Sequence, residues 1–110
     1  MAFAQVMPAV AVGPARVKLR RNEIVFNQRA TEVIVSAGVV RVKAYWDTAT
    51  TRIGLEPTAA TDITGFAVQM RDEAAFIVAR QIRQVVGAGE TLNVPITFDS
   101  GEGKYIIDLP

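Results

Sequence analysis

The sequence predicts a strand-rich α+β fold: two ββαββ-like halves of ~50 residues, packed about a pseudo-two-fold axis into one domain. Three observations predict it. Hydrophobic residues make up 50% of the 110, and they are largely aliphatic with many valines, which favours strands. Short runs in which apolar and charged residues alternate recur between turn residues. The order helix, glycine, strand, turn, strand also occurs twice when the chain is slid along itself by ~50 residues. A chain of this length is expected to make one compact domain or two small, mutually dependent halves, and a half of ~50 residues is marginal alone.

Residues 1–15 form an apolar, uncharged N-terminal arm. Pro8 forbids a continuous helix there, and the arm is shorter than the roughly 20 apolar residues that cross a bilayer. It either docks on the core or pairs with another subunit. The first repeat, residues 16–58, opens with Arg16, Val17, Lys18, Leu19 and Arg20. Bases and aliphatics alternate, as on a strand with one charged and one buried face. Arg21, Asn22 and Glu23 can turn, Asn22 being best suited to a positive φ. Ile24, Val25 and Phe26 then form a short buried strand.

Asn27 is placed to cap a helix by accepting from an amide of its first turn. Ala30, Val33, Ile34 and Ala37 share one face of that helix, and Gly38 supplies the left-handed residue that ends it. Residues 40–46 alternate again up to Trp46, which is read as core. Residues 47–51 turn, and residues 52–57 return as the partner strand of a hairpin.

Residues 59–65 are a polar linker, and residues 66–110 are the second repeat. Residues 66–70 read as a strand. Asp72 is placed to cap a helix over residues 73–86, where Ala75, Val78, Ala79, Ile82, Val85 and Val86 fall at helical spacing. Gly87 or Gly89 would end it. Residues 92–98 read as a strand in which Pro95 gives up an amide donor, which places it at a sheet edge. Residues 99–103 turn, and residues 104–109 complete a second hairpin. In the repeat, Asn22-Glu23 answers to Asp72-Glu73 and Phe26 to Phe76. Trp46-Asp47 answers to Phe98-Asp99, while Arg52, Leu55 and Glu56 answer to Lys104, Ile107 and Asp108.

The chain has no cysteine and no histidine. Disulfide frameworks, thiolate or imidazole zinc sites, and nucleophiles activated by histidine are thereby excluded. No set of residues supplies a base, a nucleophile and an oxyanion donor together, so no catalytic residue is assigned and the chain is read as no enzyme. Asp47, Asp99 and Glu102 fall in turns, where aspartate and glycine are expected without any metal. Neither a metal nor a cofactor is expected.

Charge is unevenly spread. Residues 1–58 carry eight Lys or Arg against four Asp or Glu, net +4, whereas residues 59–110 carry four against seven, net −3. The basic half either grips a polyanion or reflects ordinary scatter of charge in a small domain, with Arg16, Lys18 and Arg20 a solvated strand face whose charges prevent edge-to-edge association.

From Lys18 to Pro57 the pattern of basic strand, turn, short strand, helix and closing strand pair resembles the AbrB/MazE-type (SpoVT-AbrB-like) swapped-hairpin family of bacterial and archaeal regulators and antitoxins. Ile24, Val25, Phe26 and Asn27 stand where that family has an aliphatic run ending in proline, and Gln28 and Arg29 stand at its helix start. The resemblance covers roughly 40 residues, or most of the chain if the repeat is counted. It implies two ββαββ units that exchange hairpins into an interlaced barrel, and a cytoplasmic, DNA-binding regulator. Carried over by position, the nucleic-acid-binding residues are Lys18, Arg20, Arg21 and Arg29, with Arg16 on the approach. Arginines on a strand can grip phosphates or pair with guanine edges. The implied partners are duplex DNA and a second copy of the chain, with no membrane. The alternative is a non-enzymatic protein-interaction or oligomerisation module, such as a phage or accessory protein, which assembles through the apolar arm and edge strands.

Overall fold

The structure, a computed structural model, describes residues 14–82 and 91–110. Strands β1 (Arg16–Leu19) and β2 (Glu23–Phe26) form an antiparallel hairpin with Val17 opposite Phe26 and Leu19 opposite Ile24. These four side chains are buried, while Arg16 and Lys18 alternate onto the other face, as the strand period requires.

Helix α1 (Gln28–Ser36) starts where Asn27 Oδ1 accepts from the Ala30 amide at 2.8 Å. At its end Gly38 has φ 69°, its amide donates to Val35, and the Val39 amide donates to Ile34. That is a Schellman closure, which satisfies carbonyls the last turn leaves open. Ala30, Thr31 and Ile34 face inward, against β1, β2 and β7 (Ala74–Val78).

Strands β3 (Arg41–Asp47) and β4 (Arg52–Pro57) make the expected hairpin, with Tyr45 opposite Gly54 and Asp47 opposite Arg52. Trp46 packs partly buried against the core and Tyr45 is exposed. The following loop, residues 58–65, is folded around Asp62. Its carboxylate accepts from the hydroxyls of Thr58 (2.7 Å) and Thr64 (2.6 Å), and Lys43 Nζ lies 3.4 Å away. These hydroxyl bonds, chiefly that from Thr64, hold the Asp62 carboxyl well below the usual carboxylate range.

The second half departs from expectation in three places. Residues 66–70 are not one strand. They split at Val68 into β5 (Phe66–Ala67), paired with β3, and β6 (Gln69–Arg71), paired with β7. The expected helix over residues 73–86 begins instead as strand β7, and among its described residues 80–82 are helical. Residues 83–86, and Gly87 and Gly89, lie outside the described residues, as does the arm to residue 13. Ala74 to Val78 is a continuous apolar run, which periodicity alone cannot assign to helix or strand. The pairing decides it, because Glu23, Ile24 and Val25 of β2 need a partner and take Val78, Ile77 and Phe76. Asp72 accordingly caps no helix. With Glu73 it forms a two-residue hairpin turn with φ 51° and 66°, the geometry usually supplied by Asn-Gly.

The third departure is Pro95. Strand β8 (Leu92–Asp99) is interior: residues 92–95 pair with β1 and residues 96–99 pair with β9 (Lys104–Asp108). Proline is tolerated because it stands where the strand passes from one neighbour to the other. The ladder resumes at the next residue, whose amide donates to Ala15.

In strand order the sheet reads β5-β3-β4-β9-β8-β1-β2-β7-β6. Its two ends, β5 and β6, are separated only by Val68, whose amide donates to Val40. The result is a nearly closed, barrel-like antiparallel sheet around one core, to which Leu19, Ile24, Phe26, Leu55, Ile77 and Ile107 contribute. The hairpins alternate around it. Hairpin β1-β2 lies between β7 and β8, and hairpin β3-β4 lies between β5 and β9, so the first two hairpins share no ladder.

Hairpins β3-β4 and β8-β9 have matching turns. Asp47 accepts from the amides of residues 49 and 50, and Asp99 from those of residues 101 and 102. The last turn residue is left-handed in both, Thr51 at φ 51° and Gly103 at φ 66°. A β-branched residue is strained there and glycine is not. Thr51→Gly is therefore expected to raise stability by about 0.5–1 kcal/mol, the strain relieved less the added entropy of the unfolded chain. Gly103→Thr is expected to lower it by a similar or larger amount. Urea midpoints of the two variants check both.

Candidate nucleic-acid interface

Along the outer face of β1 the alternation of the strand lines up Arg16 and Lys18, with Arg20 and Arg21 in the turn beyond. Register extends this face sideways. Lys18 lies between Asn93 of β8 and Val25 of β2, Val25 faces Phe76 of β7, and Phe76 faces Gln69 of β6.

The bases differ in how free they are. Arg16 is held by Asn93, its Nε donating to Oδ1 and its terminal nitrogen to the backbone carbonyl, both at 2.8 Å. Such a clamp fixes the guanidinium's direction while leaving its remaining donors to solvent. Lys18 and Arg21 are exposed and make no ion pair among the described residues. Arg20 lies 3.5 Å from Glu23. Arg29 is not on this face; on α1 it pairs with Glu32 at 3.7 Å and lines a shallow groove with Val33, Ser36 and Ala37. The structure thus gathers four of the five expected residues and separates Arg29 from them.

A fifth base arrives from the second half. Arg71 runs across the Phe76 ring, 4.3 Å from its centroid, and donates to Glu23 at 2.7 Å. The Arg71 hydrogen bond, with smaller help from the charges of Arg71 and Arg20, holds the Glu23 carboxyl below its ordinary range. Arg71 is in turn pushed up by the same bond. Sequence reasoning missed Arg71, Glu23, Phe76 and Asn93 as members of this face. Glu23 lies in the same hairpin, three residues after Arg20, whereas Arg71, Phe76 and Asn93 are brought there only by the β6-β7, β2-β7 and β1-β8 registers, which no local pattern signals.

The opposite outer face, on β3, β4, β9 and the end of β8, is of mixed sign. Gly54 leaves room for Lys104 to cross the sheet: a Cβ at residue 54 would sit 2.9 Å from Lys104 Cδ. The ammonium lies 5.1 Å from the Tyr45 ring centroid, 3.8 Å from Glu56 and 3.5 Å from Glu102. Asp47 and Asp99 are engaged by their own turns. Among the described residues no group of three His, Cys, Asp or Glu is placed to hold a metal ion, and no helix is long and apolar enough to cross a membrane.

No protein-family model matches the chain, and no curated protein or solved structure matches it.

Proposed function

We propose that the chain is a small DNA-binding transcriptional regulator or antitoxin-like protein of the swapped-hairpin type, built as two ββαββ halves in tandem about a pseudo-two-fold axis. The alternation of hairpins carries this reading: strands of residues 16–58 pair across with strands of residues 66–110, so each half completes the other's sheet. The matched turns at Asp47 and Asp99 support the tandem arrangement. Only one copy carries the basic strand, so two chains are needed for a symmetric DNA site, and the working form is a homo-oligomer in the cytoplasm with no enzymatic activity. Lys18 and Arg21 meet phosphates, with Arg16, oriented by Asn93, and Arg20, paired with Glu23, standing beside them.

Fluorescence anisotropy with a labelled random-sequence duplex tests the reading. Binding at low salt is expected to fall with a log–log slope of about −0.9 for each phosphate contacted. Lys18→Glu combined with Arg21→Glu is expected to cost on the order of tenfold or more in affinity. Absence of binding at low salt would sink the proposal. A protein-assembly module is the second reading. It is favoured by the exposed Val33 and Val35 of α1 and Val40 beyond it, and predicts oligomers that survive in high salt.

A further inference from the structure

Two arginines distant in sequence converge on one carboxylate oxygen. Arg71 reaches Glu23 Oε1 at 2.7 Å and Arg20 reaches the same atom at 3.5 Å. Both guanidinium side chains are about half exposed, at 49% and 51%, whereas Glu23 is only 17% exposed. The carboxylate therefore sits low between two cations whose outer donors face water. Phe76 backs Arg71 from below, which fixes the height of its guanidinium above the sheet. Asp72 and Glu73, which would repel an anion, stand at the hairpin tip. Arg71 runs away from that tip, past Phe76, to Glu23, which pairs with Val78 at the other end of β7.

We infer that Arg20 and Arg71 form a phosphate-binding cradle whose resident anion is Glu23. Glu23 is a built-in competitor that sets how strongly this face holds a nucleic-acid backbone. The inference rests on the DNA-binding reading and adds two residues to it, one attractive and one restraining. Glu23 engages both guanidiniums through one oxygen, whereas a phosphate diester presents two oxygens to arginines. With Glu23 in place, Lys18 and Arg21 hold the backbone and the cradle is closed to it. With Glu23 neutral, two more guanidiniums engage.

The test uses the full chain and the same labelled duplex, with Glu23→Gln, Arg71→Gln and the double variant, each first checked by thermal melting for an intact fold. E23Q is expected to bind on the order of tenfold more tightly at low salt, with a steeper salt slope by up to about two contacts. R71Q alone is expected to change affinity by less than about twofold, yet to remove most of the gain when combined with E23Q, a coupling that a double-mutant cycle isolates. An E23Q gain that persists undiminished with R71Q would reflect net charge alone and overturn the cradle. Affinity unchanged in E23Q, with wild-type binding still abolished by Lys18→Glu and Arg21→Glu, would overturn the cradle and leave the DNA-binding reading standing. No binding by any variant would overturn both.

Discussion

Leu19→Ala is expected to lower stability by about 2–5 kcal/mol, and the loss should be felt in full at the far side of the barrel. Leu19 is wholly buried on β1, in register with Ile24 on one side and Leu92 on the other. Alanine leaves a cavity that the two flanking ladders keep from collapsing. The strands next to it, β2 and β8, lead through β7 and β9 to the other hairpins. No subset of hairpins from one half can keep its sheet while the other melts. The single tryptophan, Trp46 on β3, reports on that far side. Urea transitions followed by its fluorescence and by far-UV circular dichroism are expected to coincide, and to shift together in the variant. A Trp46 transition unmoved by the substitution would mean that the halves fold independently, and the interlaced sheet would be wrong.

Thr31→Val is expected to cost about 1–3 kcal/mol although the two side chains have nearly the same shape. Thr31 is the one buried polar side chain among the described residues. Its hydroxyl accepts from the Ala75 amide at 3.0 Å and donates to the Phe26 carbonyl at 3.4 Å. One side chain of α1 thus ties the end of β2 to the start of β7. Valine leaves the Ala75 amide buried without an acceptor, and desolvation of that donor sets the loss. Thr31→Ser keeps the hydroxyl and should retain most of the stability. Denaturant midpoints measure the difference, and faster hydrogen exchange at Ala75 in the valine variant locates it. Equal losses in the two variants would assign the effect to methyl packing.

Elements set by neighbouring residues were legible in the sequence. Hairpin β3-β4 follows from alternation up to Trp46 and a turn begun by Asp47, and α1 follows from Asn27 and Gly38, both observed in their caps. Strand β7 was not legible, because an unbroken run such as Ala74 to Val78 satisfies helix and strand alike. Distant β2 decides the matter. Pro95 misled for a related reason: loss of a donor marks an edge only if the strand keeps one neighbour throughout, and β8 changes neighbours at that residue. The site divides in the same way. Arg16, Lys18, Arg20 and Arg21 were readable as consecutive chemistry on one strand and its turn. The Arg71–Glu23 contact, bridging positions 48 apart, exists only through the sheet.

The pairing of β1 with β8 also bears on how the chain comes to be made. Synthesis proceeds from the N-terminus, so hairpin β1-β2 leaves the ribosome long before either flanking strand exists. Until β7 and then β8 emerge, Val17, Leu19, Ile24 and Phe26 have no partner sheet to cover them. Closing so long a loop is slow, so the nascent chain carries an apolar hairpin face without its partner strands until β7 and β8 follow, and shielding that face in the interval is expected to raise the yield of folded chain.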